Sequence, residues 1–289
     1  MFGVTILGNN SAIPAYDRHP TAQVVTMQDQ LLLLDCGEGT QLQITKYKIR
    51  RSKINYIFIS HLHGDHYFGL LGLITSFGLL GREHDLHLFG PPTLEKILPF
   101  QLYFHPLERE ERIVDEKRFT VDCFATKHRV TCWGFIIKEK KPPRKINPDA
   151  VKKFQIPVQF YENLKNGEDY ITDDNSLIKN EWVTFENSTE KSYAYCADTS
   201  YDESLAEKIK YTKVIYHETT YLKEFTSLAA LRFHATTIEA ATIAKLAETE
   251  KLLIGHFSSK YECLDPFLEE ATAVFPNTEL AIEGVTFKF

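Results

Sequence analysis

An α/β layered body carrying one inserted arm is the fold class this sequence predicts, and three observations point to it. Short β-rich runs precede polar turns and helical segments in both the first and the last parts of the chain. Between them, residues 139–180 are rich in Lys, Pro, Asn and Asp and show little sustained periodicity, the composition of an excursion from the main body. The whole, 289 residues with 43% hydrophobic and 25% charged side chains, is long enough to bury a substantial core.

Taken in order, VTILG (4–8), QLLLLDCG (30–37) and NYIFIS (55–60) read as strands, the last running into a turn and then a helical pattern from about Phe68. DLHLFG (85–90), RFTVDCFAT (118–126) and TCWGFIIK (131–138) follow as strands before the excursion. After it come SYAYCAD (192–198), TKVIYHET (212–219) and EKLLIGHF (250–257). Between the last two, ATTIEAATIAKLAETE opens on threonines suited to capping and continues as an Ala-rich amphipathic helix.

Composition narrows the setting. No apolar stretch approaches the roughly 20 residues needed to cross a bilayer. The start, MFGVTILGNNSAIP, shows no charged leader or cleavage site. Cys36, Cys123, Cys132, Cys196 and Cys263 are scattered, odd in number and without a CxxC pair, which suits free thiols and a cytoplasmic location. A net charge of −6 argues against a uniformly cationic nucleic-acid binder. Yet residues 138–153 hold seven Lys and Arg against Glu139 and Asp149, a local +5 that leaves −11 on the rest. On charge alone, such a run is as readily a solvated loop.

The chemistry concentrates in HLHGDH (61–66). His61 and His63, two apart on a turn, can aim at one ion, and Asp65 and His66 can aim at a second, with Gly64 relieving the crowding. Imidazole with some carboxylate suits borderline ions such as zinc, and catalytic sites leave a position for water. A strand end ahead of a helix is also where functional groups tend to be held.

HLHGDH after a strand resembles the HxHxDH signature of the metallo-β-lactamase superfamily, whose members include thioesterases, lactamases, nucleases and oxidoreductases. The resemblance implies an αββα sandwich, with the remaining ligands at later strand ends: His128 in FATKHRV, Asp198 in YCADTSYDE and His256 in LLIGHFSSKY. It implies two zinc ions, one on His61, His63 and His128, the other on Asp65, His66 and His256, with Asp198 bridging. Two divalent ions, two carboxylates and a hydroxide leave about +1, which attracts a phosphodiester.

YHETTY (216–221) and RFHATTIEAA (232–241) are similar to the Glu- and His-bearing motifs of the ribonuclease Z family, endonucleases that trim the 3′ trailers of precursor tRNA. By that resemblance Glu218 orients His234, which protonates the leaving 3′ oxygen, and Asp65 is both ligand and proton acceptor. The resemblance spans residues 1–289 as a single domain. It makes 139–180 a basic tRNA-binding arm and implies a homodimer in which one subunit's arm grips tRNA for the other's site. The N-terminal loop keeps Pro14 and Arg18 but has Tyr16 and His19 where family members with a PxKxRN loop have Lys and Asn, and Ala235 replaces a more usual Ser. His19, His84, His87, His105 and His217 take no role. The rival readings are a phosphodiesterase or thioesterase acting on small molecules, and a metal-stabilised RNA-binding module without catalysis.

Overall fold

The computed structural model describes residues 2–97, 103–187 and 190–289. Eighteen strands are described: β1 Phe2–Gly8, β2 Ala22–Met27, β3 Gln30–Leu34, β4 Ile54–Phe58, β5 His87–Gly90, β6 Tyr103–Pro106, β7 Glu111–Asp115, β8 Phe119–Thr126, β9 Cys132–Glu139, β10 Lys145–Ile146, β11 Tyr170–Ile171, β12 Leu177–Ile178, β13 Thr184–Phe185, β14 Ser192–Cys196, β15 Val214–Glu218, β16 Lys251–Gly255, β17 Thr278–Leu280 and β18 Thr286–Lys288. Two seven-stranded sheets run β18-β1-β2-β3-β4-β5-β6 and β17-β16-β15-β14-β9-β8-β7. The helices are α1 Thr40–Lys46, α2 Gly64–Tyr67, α3 Leu70–Leu79, α4 Pro148–Lys153, α5 Tyr161–Lys165, α6 Asn180–Val183, α7 Ser204–Lys208, α8 Thr226–Arg232, α9 Thr237–Leu246 and α10 Asp265–Val274.

The continuous apolar strands follow from burial on both faces. In β3, Leu32 and Leu34 enter the core between the sheets with Phe58, Phe135, Tyr195 and Leu253. Leu33 points the other way, with Ile57 and Leu88, onto Ile44 of α1 and Leu73 and Phe77 of α3. In the second sheet Leu253 turns inward, while Ile215, Leu252 and Ile254 pack against Ala241 and Ala244 of α9 and Phe267 of α10. Helices outside two facing sheets make an αββα sandwich. Strands β3 to β6 run parallel, as do β14 to β17, so many of their C-terminal ends open on one edge, where α/β sheets hold their ligands. The sequence reading passed over β2, β6, β7, β17, β18 and α10.

Between β9 and β14 the chain leaves the body and forms a lobe around its own small core of Val151, Ile156, Leu164, Ile178 and Val183. It closes where β10 pairs with β13 and where Glu139 N donates to Lys191 O, so it extends past residue 180 to about 187. Its charge is uneven: residues 154–187 carry seven acids against Lys165 and Lys179. Lys140 pairs with Asp115, while Lys141 and Arg144 lie 3.6 and 3.5 Å from Glu186. Lys145, Lys152 and Lys153 are exposed and make no ion pair among the described residues.

Candidate active site

Strand ends deliver the polar residues. Asp35 follows β3, His61 lies three residues past β4, His128 two past β8, Asp198 two past β14 and His256 one past β16, while Glu218 ends β15. The turns must approach closely for this: a Cβ on Gly37 would lie 2.4 Å from Asp65 O, and one on Gly64 would meet the Phe68 ring at 2.2 Å. Asp35, Phe233 and His256 take left-handed backbone, at φ 54, 60 and 64. Non-glycine residues adopt this at a cost that clusters at functional sites.

Two groups converge. His61, His63, His128 and Asp198 each offer a ligand atom within 4.8 Å of the others, and so do Asp65, His66 and His256. Asp198 faces both: its Oδ2 lies 3.5 Å from His61 Nε2 and 3.9 Å from His128 Nε2, its Oδ1 3.4 Å from His66 Nε2 and 3.2 Å from His256 Nε2. Asp65 Oδ2 lies 3.5 Å from the Nε2 atoms of both His66 and His256 and accepts from Ala12 N at 2.8 Å.

Each ring is aimed from behind. His66 Nδ1 donates to Asp35 Oδ2 at 2.8 Å, His128 Nδ1 to Phe233 O at 2.8 Å, and His256 Nδ1 to Thr220 Oγ1 at 2.9 Å. His61 Nδ1 sits 3.0 Å from Ser60 Oγ, which itself donates to Asp35. These bonds fix tautomers whose Nε2 lone pairs face the centre, the usual arrangement behind a metal-binding histidine. His63 is turned over, its Nδ1 lying 3.3 Å from His128 Nε2.

The inward atoms fit a cation. His61 Nε2, His66 Nε2, His256 Nε2 and Asp198 Oδ1 are buried without a hydrogen-bond partner, a state buried polar atoms rarely tolerate. Burial, with neighbouring imidazoles, holds His61 well below the usual histidine range; burial also lowers His63 and His128, leaving neutral rings fit to coordinate. Burial opposes charge on His66 too, but Asp65, Asp198 and Asp35 outweigh it and push that ring well up. The centre therefore sets the carboxylates of Asp65 and Asp198 beside the neutral rings of His61, His63 and His128, a donor set that suits divalent metal.

Beside it stands an acid–base pair. Glu218 is fully buried and accepts from Thr199 N, Thr220 N, Thr220 Oγ1 and Ala235 N at 2.8 to 3.2 Å. His234 Nδ1 lies 2.9 Å from Glu218 Oε1. Burial would push His234 down, but the Glu218 charge and hydrogen bond raise it to about 9. Phe233, capping α8 in left-handed backbone, turns the chain so that His234 comes back to Glu218. His234 also forms a third possible ligand group with Asp198 and His256.

Sequence reasoning gave no role to Asp35, Ser60 or Thr220, which aim the rings. Among the histidines left without a role, His217 Nδ1 donates to Glu218 O at 2.7 Å, His19 meets Glu283 at 3.1 Å, and His87 and His105 lie 3.3 Å apart.

The chain is similar to known proteins to different extents. A family model described as Anti-Pycsar protein Apyc1 matches residues 2–138. Ribonuclease Z of Bacteroides thetaiotaomicron is 40% identical over 297 aligned residues, covering 98% of this chain and 94% of that one. Ribonuclease Z of Porphyromonas gingivalis W83 is 38% identical, covering 98% and 97%. Human tRNase Z, short form, superposes with a TM-score of 0.71 at 23% identity, covering 99% of this chain and 98% of that one. The metallo-β-lactamase fold protein YhfI from Bacillus subtilis superposes at 0.72 with 21% identity over the whole of both chains. The two structural likenesses show the metallo-β-lactamase fold.

Proposed function

The chain belongs to the ribonuclease Z family, and from that premise we propose that it cuts the 3′ trailer from precursor tRNA with two zinc ions, leaving a tRNA 3′-hydroxyl and a trailer 5′-phosphate. The observation that carries the reading is the Glu218–His234 pair, closed at 2.9 Å beside the two ligand groups. In this reading His61, His63 and His128 hold one ion, Asp65, His66 and His256 the other, and Asp198 both. Ions held by these residues would supply Lewis-acid chemistry, making water at the site easier to deprotonate and offsetting phosphoryl charge.

The chain's own residues do the rest. Asp35, Ser60 and Thr220 hold the rings in one tautomer. Asp65 accepts the proton of the attacking water. Glu218 keeps the His234 imidazole protonated at neutral pH, and His234 Nε2 delivers that proton to the leaving 3′ oxygen. The cations at the base of the lobe would hold tRNA phosphates by charge, while the folded RNA supplies the shape. A homodimer would let one subunit's lobe serve the other's site. Among the described residues no helix is long and apolar enough to cross a membrane; the all-thiol cysteines suit the cytoplasm.

The match to the Apyc1 family model ends at residue 138, before the lobe, and includes none of Asp198, Glu218, His234 and His256; the rival reading, hydrolysis of a small diester alone, uses neither the lobe nor a protonated His234. The deciding experiment incubates pure, zinc-loaded protein with one trailer-bearing precursor tRNA and maps both new ends. Intact tRNA alongside turnover of a small diester would overturn the tRNA reading.

A further inference from the structure

Next to His234 lies a pair of cations that the chemistry above leaves unused. Tyr221 is buried and tied to the His234 loop by backbone bonds, its N donating to Ala235 O and its O accepting from Thr237 N. Its ring lies 6.3 Å from the His234 ring. Arg232 Nη1 donates to the Tyr221 hydroxyl at 3.1 Å. Lys260, four residues beyond His256, sets its ammonium 3.0 Å from the Phe225 ring centre, 4.6 Å from Tyr261 and 5.2 Å from Tyr221.

Both cations are exposed, and neither forms an ion pair with a carboxylate among the described residues. Burial lowers the pKa of Lys260; Tyr221 and the Glu224 carboxylate offset part of that, and the Arg232 charge adds to it. Both side chains reach Tyr221, Arg232 at its hydroxyl and Lys260 5.2 Å from its ring centre, and an anion held by both would relieve the repulsion between like charges. Three rings and a tyrosine hydroxyl also hold the cations in place before any ligand arrives, which lowers the entropy cost of binding one.

We propose that Lys260 and Arg232 form a phosphate subsite for the RNA backbone on the tRNA side of the cleaved bond. The side follows from the acid: if His234 protonates the 3′ oxygen that leaves with the tRNA, the nucleotide beside it is the last one of the tRNA, and the next phosphate is the one 5′ to that nucleotide. The inference rests on the proposed tRNA cleavage and deepens it. Arg232 and Lys260 are binding residues here, separate from the lobe and within reach of the chemistry.

The test uses zinc-loaded full-length protein carrying Lys260→Met, Arg232→Met or both, with precursor tRNA and bis(p-nitrophenyl) phosphate as parallel substrates. The double variant should lose at least about tenfold more on tRNA than on the nitrophenyl diester, which has no second phosphate. Its plot of log affinity against log salt should flatten by about two units, one per lost contact, and Lys260→Arg should restore most of the loss. A precursor with a neutral methylphosphonate 5′ to the last tRNA nucleotide should impair the wild type and leave the double variant little worse, a coupling that a merely structural cage would not produce. Equal losses on both substrates, or an unchanged salt slope, would overturn the subsite. Wild-type protein that hydrolyses the nitrophenyl diester but leaves precursor tRNA whole would instead overturn the tRNA reading and the subsite with it.

Discussion

The ligand-bearing edge of the sandwich and the inserted lobe treat their charged residues in opposite ways. At the edge, His66, His128 and His256 each have a hydrogen-bond partner on the nitrogen turned away from the centre, and Asp198 is buried between both groups. In the lobe, Lys145, Lys152 and Lys153 point to water, and the core beneath them is five residues. Rigid placement matters where reacting atoms must meet within tenths of an ångström. Phosphate attraction acts at longer range and tolerates mobile lysines. The difference predicts that chemistry and recognition can be broken separately.

The largest effect should come from the edge. Zinc-loaded wild type should carry two ions per chain by metal analysis, and His256→Ala should lose one of them together with turnover of every substrate. One ion per chain in fully active protein would refute the paired-ion reading. Next, His234→Ala should slow tRNA cleavage by about 10²–10⁴-fold, the usual contribution of a positioned acid, while barely affecting a nitrophenyl diester whose leaving group departs without a proton. Glu218→Gln tests the same pair through pH. An acid works only while protonated, so activity falls above its pKa; without the carboxylate that holds His234 up at about 9, the falling limb of kcat/KM should move to lower pH. An unmoved limb would assign it to another group.

What the sequence made legible follows from how local each feature is. His61, His63, Asp65 and His66 fall within six residues and announce themselves. His128, Asp198 and His256 are readable only as polar residues after apolar strands. Asp35 had a comparable signal, a lone carboxylate directly after the QLLLL run, whose last three leucines are buried. Its role exists only because β3 and β4 are parallel neighbours, which sets Asp35 Oδ1 2.7 Å from Ser60 N. Strands of three or four residues such as β6, β17 and β18 are too short to show alternation. The lobe's end was illegible for a related reason: its ladders are two residues long, and its core draws on positions from Val151 to Val183.

A smaller effect should come from the lobe's cations. Lys140, Lys141 and Arg144 already face Asp115 or Glu186, so neutralising them also frees carboxylates and confuses the result. Lys145, Lys152 and Lys153 changed together to Ala should weaken precursor-tRNA binding and flatten its salt slope by up to about three units, with zinc content and diester hydrolysis unchanged. Equal salt slopes in variant and wild type would return this run to a solvated surface.

The smallest effect on chemistry should follow the most disruptive change within the lobe. Leu164 is fully buried among Val151, Ile156, Ile178 and Val183. Leu164→Ala leaves a cavity that in packed cores costs about 2–5 kcal/mol. A core of five buried residues, with partly buried side chains such as Phe154 and Phe160 packed on it, has little to spare against that, so the lobe should open locally while the body stays folded. Hydrogen exchange should then speed up across residues 145–185 and remain slow in β3, β4, β14 and β16. Diester hydrolysis and zinc content should hold, and tRNA affinity should fall. If exchange accelerates in those body strands as well, or zinc is lost, the lobe and the sandwich fold as one cooperative unit, and placement of the metal centre depends on the insertion after all.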